Sequence, residues 1–336
     1  MEALGFPLSS EVRLGLANAI RIQPHGQGFA VNDSYIQYYR RVVESNRIGN
    51  ITGTHKEIIN LIELLKAPNA TRQSIITFLQ TRLRDVDDEA LEECMNLGVR
   101  LLLMLSIGSP RVGHSIAITG ETHLDWKHES IRELISTRPR AERSITDQVK
   151  LEKIFNVKNL EYIGGIKVRW TTNLADHLRM RDDDTAVEIF HYVSFLRCHR
   201  NSPIFPEGLM DETLSTLALL LPEHNKDVKA WFKKQQKIVR KRRRLPLDPL
   251  ARECGQLKKS ERQIDKFVYW YDRLVILKQV FDEAEPSTIK QWWNDRRKKV
   301  QWYTFWVAAL VLGLTILFGL IQCIEGAMQV YKAFNP

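Results

Sequence analysis

From Trp302 to Ile324 the chain reads WYTFWVAALVLGLTILFGLIQCI, 23 residues without one charged side chain. Wound as an α-helix at 1.5 Å per residue, the stretch is about 34 Å long, enough to cross a hydrocarbon core of ~30 Å with some tilt. Core helices of soluble proteins seldom run so far without an ionised group. A membrane anchor is therefore expected here, and the other residues have to form a body that one C-terminal helix can hold at a bilayer.

The flanks give the anchor a direction. Arg296, Arg297, Lys298 and Lys299 precede it and only Lys332 follows, and an excess of Lys and Arg beside a span marks the cytoplasmic side. These four residues are the expected topology determinants. They leave the N-terminal body in the cytosol and send Glu325 to Pro336 to the other face. Trp292, Trp293, Trp302, Tyr303 and Trp306 gather at one end of the span and Tyr331 and Phe334 at the other, as amphipathic rings do at the two interfaces. Glu2 stands where a secretory leader needs positive charge, so no cleaved leader is expected and the anchor is its own signal, in the endoplasmic reticulum or another secretory-pathway membrane. The sequons at Asn32, Asn50 and Asn69 then report topology, because a cytosolic body leaves them unmodified. Inside the span, Ala309 and Gly313 are four apart, as are Thr315, Gly319 and Cys323. Small residues at that spacing let helices approach closely, so a homo-oligomer through the span is a further expectation.

The whole chain of 336 residues carries 49 Lys/Arg against 40 Asp/Glu, yet from Lys226 onward the balance is 23 against 11. The local excess of 12 is larger than the overall excess of 9, so the basic character belongs to the part nearest the anchor, where an anionic leaflet attracts it. Cys94, Cys198, Cys254 and Cys323 lie far apart and match neither a CxxC metal pattern nor a disulfide framework; reduced thiols, no metal and no cofactor are expected.

Breakers and periodicity divide the chain into an irregular N-terminal arm at 1–32, around a short helix near Glu11 to Ile20; a helical subdomain at 33–108; an α+β subdomain at 109–225; a basic juxtamembrane helical region at 226–286; and a membrane-entering helix and anchor at 287–336, with its span at 302–324. Helices are expected at Ser34–Val43, Lys56–Lys66, Thr71–Arg82 and Glu89–Leu105, then at Glu129–Ser136, Asp147–Phe155, Thr172–Leu178, Asp183–Cys198, Asp211–Leu221, Lys226–Arg244 and Ser260–Phe281, with a last one starting near Pro286 to Thr288. His114–Thr119 alternates as a short strand does. The fold class is thus mainly α: a helical cytosolic body with a small β element, a hairpin near 160–171 turning at Gly164-Gly165, and one long C-terminal transmembrane helix.

WTTNLADHL (Trp170–Leu178), ETLSTLALLLP (Glu212–Pro222) followed by VKAWF (Val228–Phe232), and the ending IQCIEGAMQVYKAF (Ile321–Phe334) give residues 110 to 336 a likeness. This part of the chain resembles a family of uncharacterised proteins common in filamentous fungi. The resemblance implies a soluble body with a C-terminal membrane segment, and it carries over no catalytic residue.

Groups with chemical potential are few. Asp182, Asp183 and Asp184 with His177, His191, Cys198 and His199 are the one cluster that suggests a metal, but the histidines fall on separate expected helices, and acids before Thr185 suit the positive end of a helix. Gly49 to Lys56 lacks the order of a phosphate-binding GxxxxGK[ST] loop, and His123, Asp125 and His128 have no nucleophile in a recognisable turn. No catalytic residue is assigned. The strongest signal is KDVKAWFKKQQKIVRKRRR, Lys226 to Arg244. On a helix, Lys229, Lys233, Lys237 and Arg240 form one stripe that runs into Lys241, Arg242, Arg243 and Arg244, while Trp231 and Phe232 join Val228, Ile238 and Val239 on another part of the surface. That is the make-up of a helix lying in a membrane interface, its cations on anionic headgroups and its rings in the boundary layer. Competing readings of the run are a nuclear import signal in Lys241 to Arg244, an RNA contact, a calmodulin target and a solvated face. The expected function is a tail-anchored protein whose cytosolic body binds or scaffolds an unknown protein partner while its polybasic helix rests on lipid, nucleic acid not being the expected partner. The alternatives are a membrane-bound enzyme with a site assembled from distant residues, and a self-associating membrane-perturbing protein.

Overall fold

Local signals at helix ends account for the first half of the chain. The computed structural model describes residues 4–20, 33–45, 54–67, 70–82, 87–108, 121–127, 130–136, 149–284 and 299–334. Helices α1 (Ser10–Ile20), α2 (Asp33–Ser45), α3 (His55–Leu65), α4 (Arg72–Arg82) and α5 (Asp88–Leu103) all lie within two residues of the spans read from the sequence. Thr54 starts α3 by accepting from Glu57 N at 3.4 Å, and Asp87 starts α5 by accepting from Ala90 N at 2.8 Å. Gly98 sets how closely α5 meets α3, because a Cβ there would lie 2.7 Å from the Leu65 side chain and 2.9 Å from that of Leu61. The N-terminal segment is more than an arm. Helix α1 packs on α3, and Leu16, Ala19 and Ile20 are fully buried.

The second half departs further from expectation. After the two-residue parallel pair β1 (Ser106–Ile107) and β2 (His123–Leu124) come α6 (Ile131–Ser136) and α7 (Val157–Tyr162). Residues 160–171 are not a hairpin. Ile163 N and Gly164 N both fold back onto Asn159 O and end α7, so only β3 (Lys167–Thr171) is strand. A 3-10 turn at Leu174–Asp176, capped by Asn173, replaces the helix expected there, and β4 (Met180–Arg181) and β5 (Ala186–Phe190) follow. The sheet order is β3-β5-β4, with β3 parallel to β5 and β4 antiparallel. The hairpin is therefore β4–β5. It turns on Asp182, Asp183 and Asp184, whose φ angles of 51°, 49° and 63° are left-handed, a region that short polar side chains tolerate better than most. The helix expected over Asp183–Cys198 is thus this turn, β5 and a short α8 (Val193–Cys198). As the central strand, β5 is buried on both faces, which removes the alternation by which a half-exposed strand is recognised.

Helices α9 (Leu209–Leu220) and α10 (Lys226–Lys241) agree with expectation; α11 (Tyr271–Glu283) starts eleven residues late. The Glu212 carboxylate explains the delay, gathering Val268 N (2.8 Å), Tyr269 N (2.7 Å) and Trp270 N (2.8 Å) just before α11. Val149–Phe155 is not helical either, because Leu151 N donates to Arg262 O at 2.9 Å and Ile264 N to Val149 O at 3.0 Å, tying the segment to the 262–264 stretch. Buried side chains form one continuous cluster from Leu8 to Phe281, across the boundaries expected at 32, 108 and 225. Helix α12 (Lys299–Phe334) ends the chain. The strand expected at 114–119 and the helix start near Pro286 lie outside the described residues.

Candidate functional site

Helix α10 is launched by Asn225, whose side-chain oxygen accepts from Asp227 N at 3.0 Å and Val228 N at 3.2 Å. Val228, Trp231, Phe232 and Val239 turn inward. The Trp231 indole N–H donates to the Glu161 carboxylate of α7, and the Trp170 ring of β3 stands 6.1 Å from Trp231 and 5.8 Å from Phe232, edge-on to the latter. Lys158 pairs with Asp227 at 3.1 Å. Trp231 and Phe232 are only 4% and 1% exposed, so they are not rings for a lipid boundary, which corrects their place among the membrane-surface residues. They seat the helix on the body because Glu161 and Trp170 offer an indole a hydrogen bond and an aromatic wall at once.

The opposite face carries Lys229, Lys233, Lys234, Lys237 and Arg240, all exposed, and continues through exposed Lys241, Arg242, Arg243 and Arg244. Among the described residues none of these makes a side-chain hydrogen bond or an ion pair. Past the last turn, Arg243 N returns to Arg240 O and Arg244 N to Val239 O, both at 3.1 Å, so the arginines crowd the negative end of the helix, where cations are favoured. The geometry makes an uncompensated cationic surface on a rigidly seated helix, fit to receive an anionic surface.

Helix α12 is the second feature. Its 36 residues would extend about 54 Å, and within Tyr303–Phe334 an 18-residue window has a mean hydropathy of 2.5 with none of it buried, so the helix is long and apolar enough to cross a membrane. Ala309, Gly313, Thr315, Gly319 and Cys323 lie along it, all exposed; a Cβ added at Gly313 or Gly319 would meet nothing within 4 Å, and the Thr315 hydroxyl donates to Val311 O at 2.8 Å. Of the topology determinants, Arg296, Arg297 and Lys298 lie outside the described residues, and Lys299 opens α12.

The groups weighed for chemistry are structural. His177 Nδ1 accepts from Phe190 N at 3.1 Å and Nε2 lies 2.7 Å from the Thr216 hydroxyl, and His191 Nδ1 accepts from Asp248 N at 3.2 Å. His199 is packed between Phe195 and Phe205. Burial pushes all three down to about 3, helped at His177 by Arg273 and at His199 by Lys66, so each is a neutral ring near neutral pH. Among the described residues no three His, Cys, Asp or Glu converge as metal ligands. In the Trp170–Leu178 motif, buried Asp176 accepts from Thr122 N (3.0 Å) and Asn173 Nδ2 (3.0 Å) and pairs with Arg179 at 3.1 Å. Asp125 pairs with Lys127 at 3.2 Å, and His128 and Gly49–Gly53 lie outside the described residues.

Sequence reading missed Glu161, which anchors Trp231, and Glu212 and Asp248, whose carboxylates collect backbone N–H groups from segments more than fifty residues away. No local signal marks such partners. Comparison of the chain with protein-family models, with curated proteins and with solved structures finds no match.

Proposed function

We propose that this is a single-pass, tail-anchored membrane protein whose body lies in the cytosol, docks on anionic headgroups through α10 and recruits a protein partner to that membrane, in the endoplasmic reticulum or another secretory-pathway compartment. The observation that carries the reading is the division of α10: its apolar face is spent on the body, while the Lys and Arg side chains from Lys229 to Arg244 stand exposed and, among the described residues, unpaired. Docking is therefore electrostatic, without ring insertion. Each basic residue near an anionic leaflet contributes about 1 kcal/mol, and a tethered segment loses little further entropy on binding. The histidines committed to the core support an adaptor over an enzyme.

Lysine acylation read by mass spectrometry tests it on the full chain in nanodiscs. Lys229, Lys233 and Lys237 should react more slowly in discs with anionic lipid than in neutral ones, and the protection should fade as salt rises, since exposed charges are screened over ~8 Å at physiological ionic strength. Equal rates in both discs at low salt would remove lipid docking. A second reading, self-association through α12, rests on the open surface over Gly313 and Gly319.

A further inference from the structure

A cleft of about 210 Å³ lies at the end of α9 and just before α10, where residues 218–225 meet 152–153, 256–257 and Arg262. Its floor is apolar, from Ala218, Leu219 and Leu257, and Lys153, His224 and Asn225 stand at its rim with Arg262 inside. Arg262 is only 9% exposed, and its Nε and Nη1 are buried with no hydrogen-bond partner. Among the described residues no carboxylate pairs with it. Glu261, next in the chain, is turned to accept from Lys258 N at 2.6 Å, and Glu152 is an exposed residue of the rim. A guanidinium does not shed its proton in a protein, so its burial leaves a fixed, uncompensated charge, an arrangement that is costly unless an anion meets it. The start of α10 adds the positive end of a helix dipole on the same side.

We propose that this cleft binds a phosphate group. A planar guanidinium and an ammonium lining one cleft match a tetrahedral oxyanion, and the apolar floor accepts the carbon stem of an ester. The volume is below the roughly 300–1,000 Å³ of pockets that enclose a whole drug-sized ligand, so the cleft takes the phosphate end of a molecule and not a nucleotide. The proposal does not rest on lipid docking by α10: the ligand sits before the helix's N-terminal end, in a cleft lined by none of the exposed cations from Lys229 to Arg244, and is held by Arg262 and Lys153.

Calorimetry on the full chain in phosphatidylcholine nanodiscs, with inorganic phosphate and then glycerol 3-phosphate as titrants, tests it. Binding should saturate at one site per chain. Arg262→Gln should weaken it about tenfold or more, the scale of a hydrogen bond to a charged group. Lys153→Gln, at an exposed rim position, should weaken it severalfold and decides the matter alone if Arg262→Gln does not fold by circular dichroism. Arg240→Gln with Lys241→Gln should leave it unchanged, which separates the cleft from the α10 face. Repeating the titration in discs that contain phosphatidylinositol 4-phosphate assigns the source: competition points to a lipid headgroup, and its absence to a soluble ester. Heat that never saturates, or equal affinity in wild type and in folded Lys153→Gln and Arg262→Gln variants, overturns the proposal.

Discussion

Helices α10 and α12 both carry tryptophan, phenylalanine and aliphatic side chains, yet they end in opposite surroundings. In α10 the apolar residues occupy one stripe, and Glu161 and Trp170 wait across from it; in α12 they surround the axis, and among the described residues none of its most apolar window is buried. An apolar stripe can be satisfied by a neighbouring element of the same chain, whereas a helix apolar all round needs a solvent that is itself apolar. The difference separates two kinds of helix. The first is seated on the body with its charges exposed, and the second is long and apolar enough to cross a membrane.

The largest expected effect breaks the seat of α10. Phe232→Ala should destabilise the body by about 3–5 kcal/mol, the usual cost of removing a buried ring, measured by denaturant unfolding of the full chain in micelles. Were Phe232 instead a lipid-inserting ring, stability would hold and only membrane contact would fall. Acid should act on the same region. With His177, His191 and His199 held down to about 3, the unfolded chain binds their protons first as pH falls below about 6.5, so stability is complete above that value and drops through the window down to about 3. His191 lies 5.8 Å from Trp170, so the seat of α10 should loosen in acid while α12 stays helical, as circular dichroism and tryptophan fluorescence would separate.

Leu314→Arg should cost about 2.5–3.5 kcal/mol of insertion, shifting the chain out of carbonate-washed membranes without changing the melting of the body. Unaltered fractionation would show that α12 is held by something other than lipid. A single Arg240→Gln should remove about 1 kcal/mol of docking on anionic discs and nothing on neutral ones, in the acylation assay. The smallest effect concerns the span itself: Gly319→Ile should lower energy transfer between labelled helices in a bilayer, and Leu317→Ile should not. Identical signals would leave α12 a plain anchor.

How far these two helices could be foreseen differs as well. The uncharged length of α12 over 302–324 is visible in a row of letters, because crossing a bilayer depends on composition along one segment. The period and cations of α10 were equally legible, but its partner was not: Trp231 and Phe232 read as rings for a lipid boundary until Glu161 and Trp170, some sixty to seventy residues earlier, were seen to cover them. The hairpin was misplaced for a related reason. Gly164-Gly165 is a strong turn signal, yet the chain turns on Asp182–Asp184, and β5, buried on both faces, shows no alternation to mark it as a strand.

By itself the sequence determined the spans of the first five helices, the cationic run, and a C-terminal helix fit for a membrane, each a matter of residues within a few turns of one another. Tertiary structure alone decided which face of α10 is free, where the parallel β3–β5 pair forms, and that Glu212 delays α11 by collecting three backbone N–H groups. It also placed Arg262 on a cleft, its Nε and Nη1 buried and without a hydrogen-bond partner among the described residues. Burial and pairing depend on what the folded chain brings across long separations, and no local pattern encodes the identity of a neighbour fifty residues away.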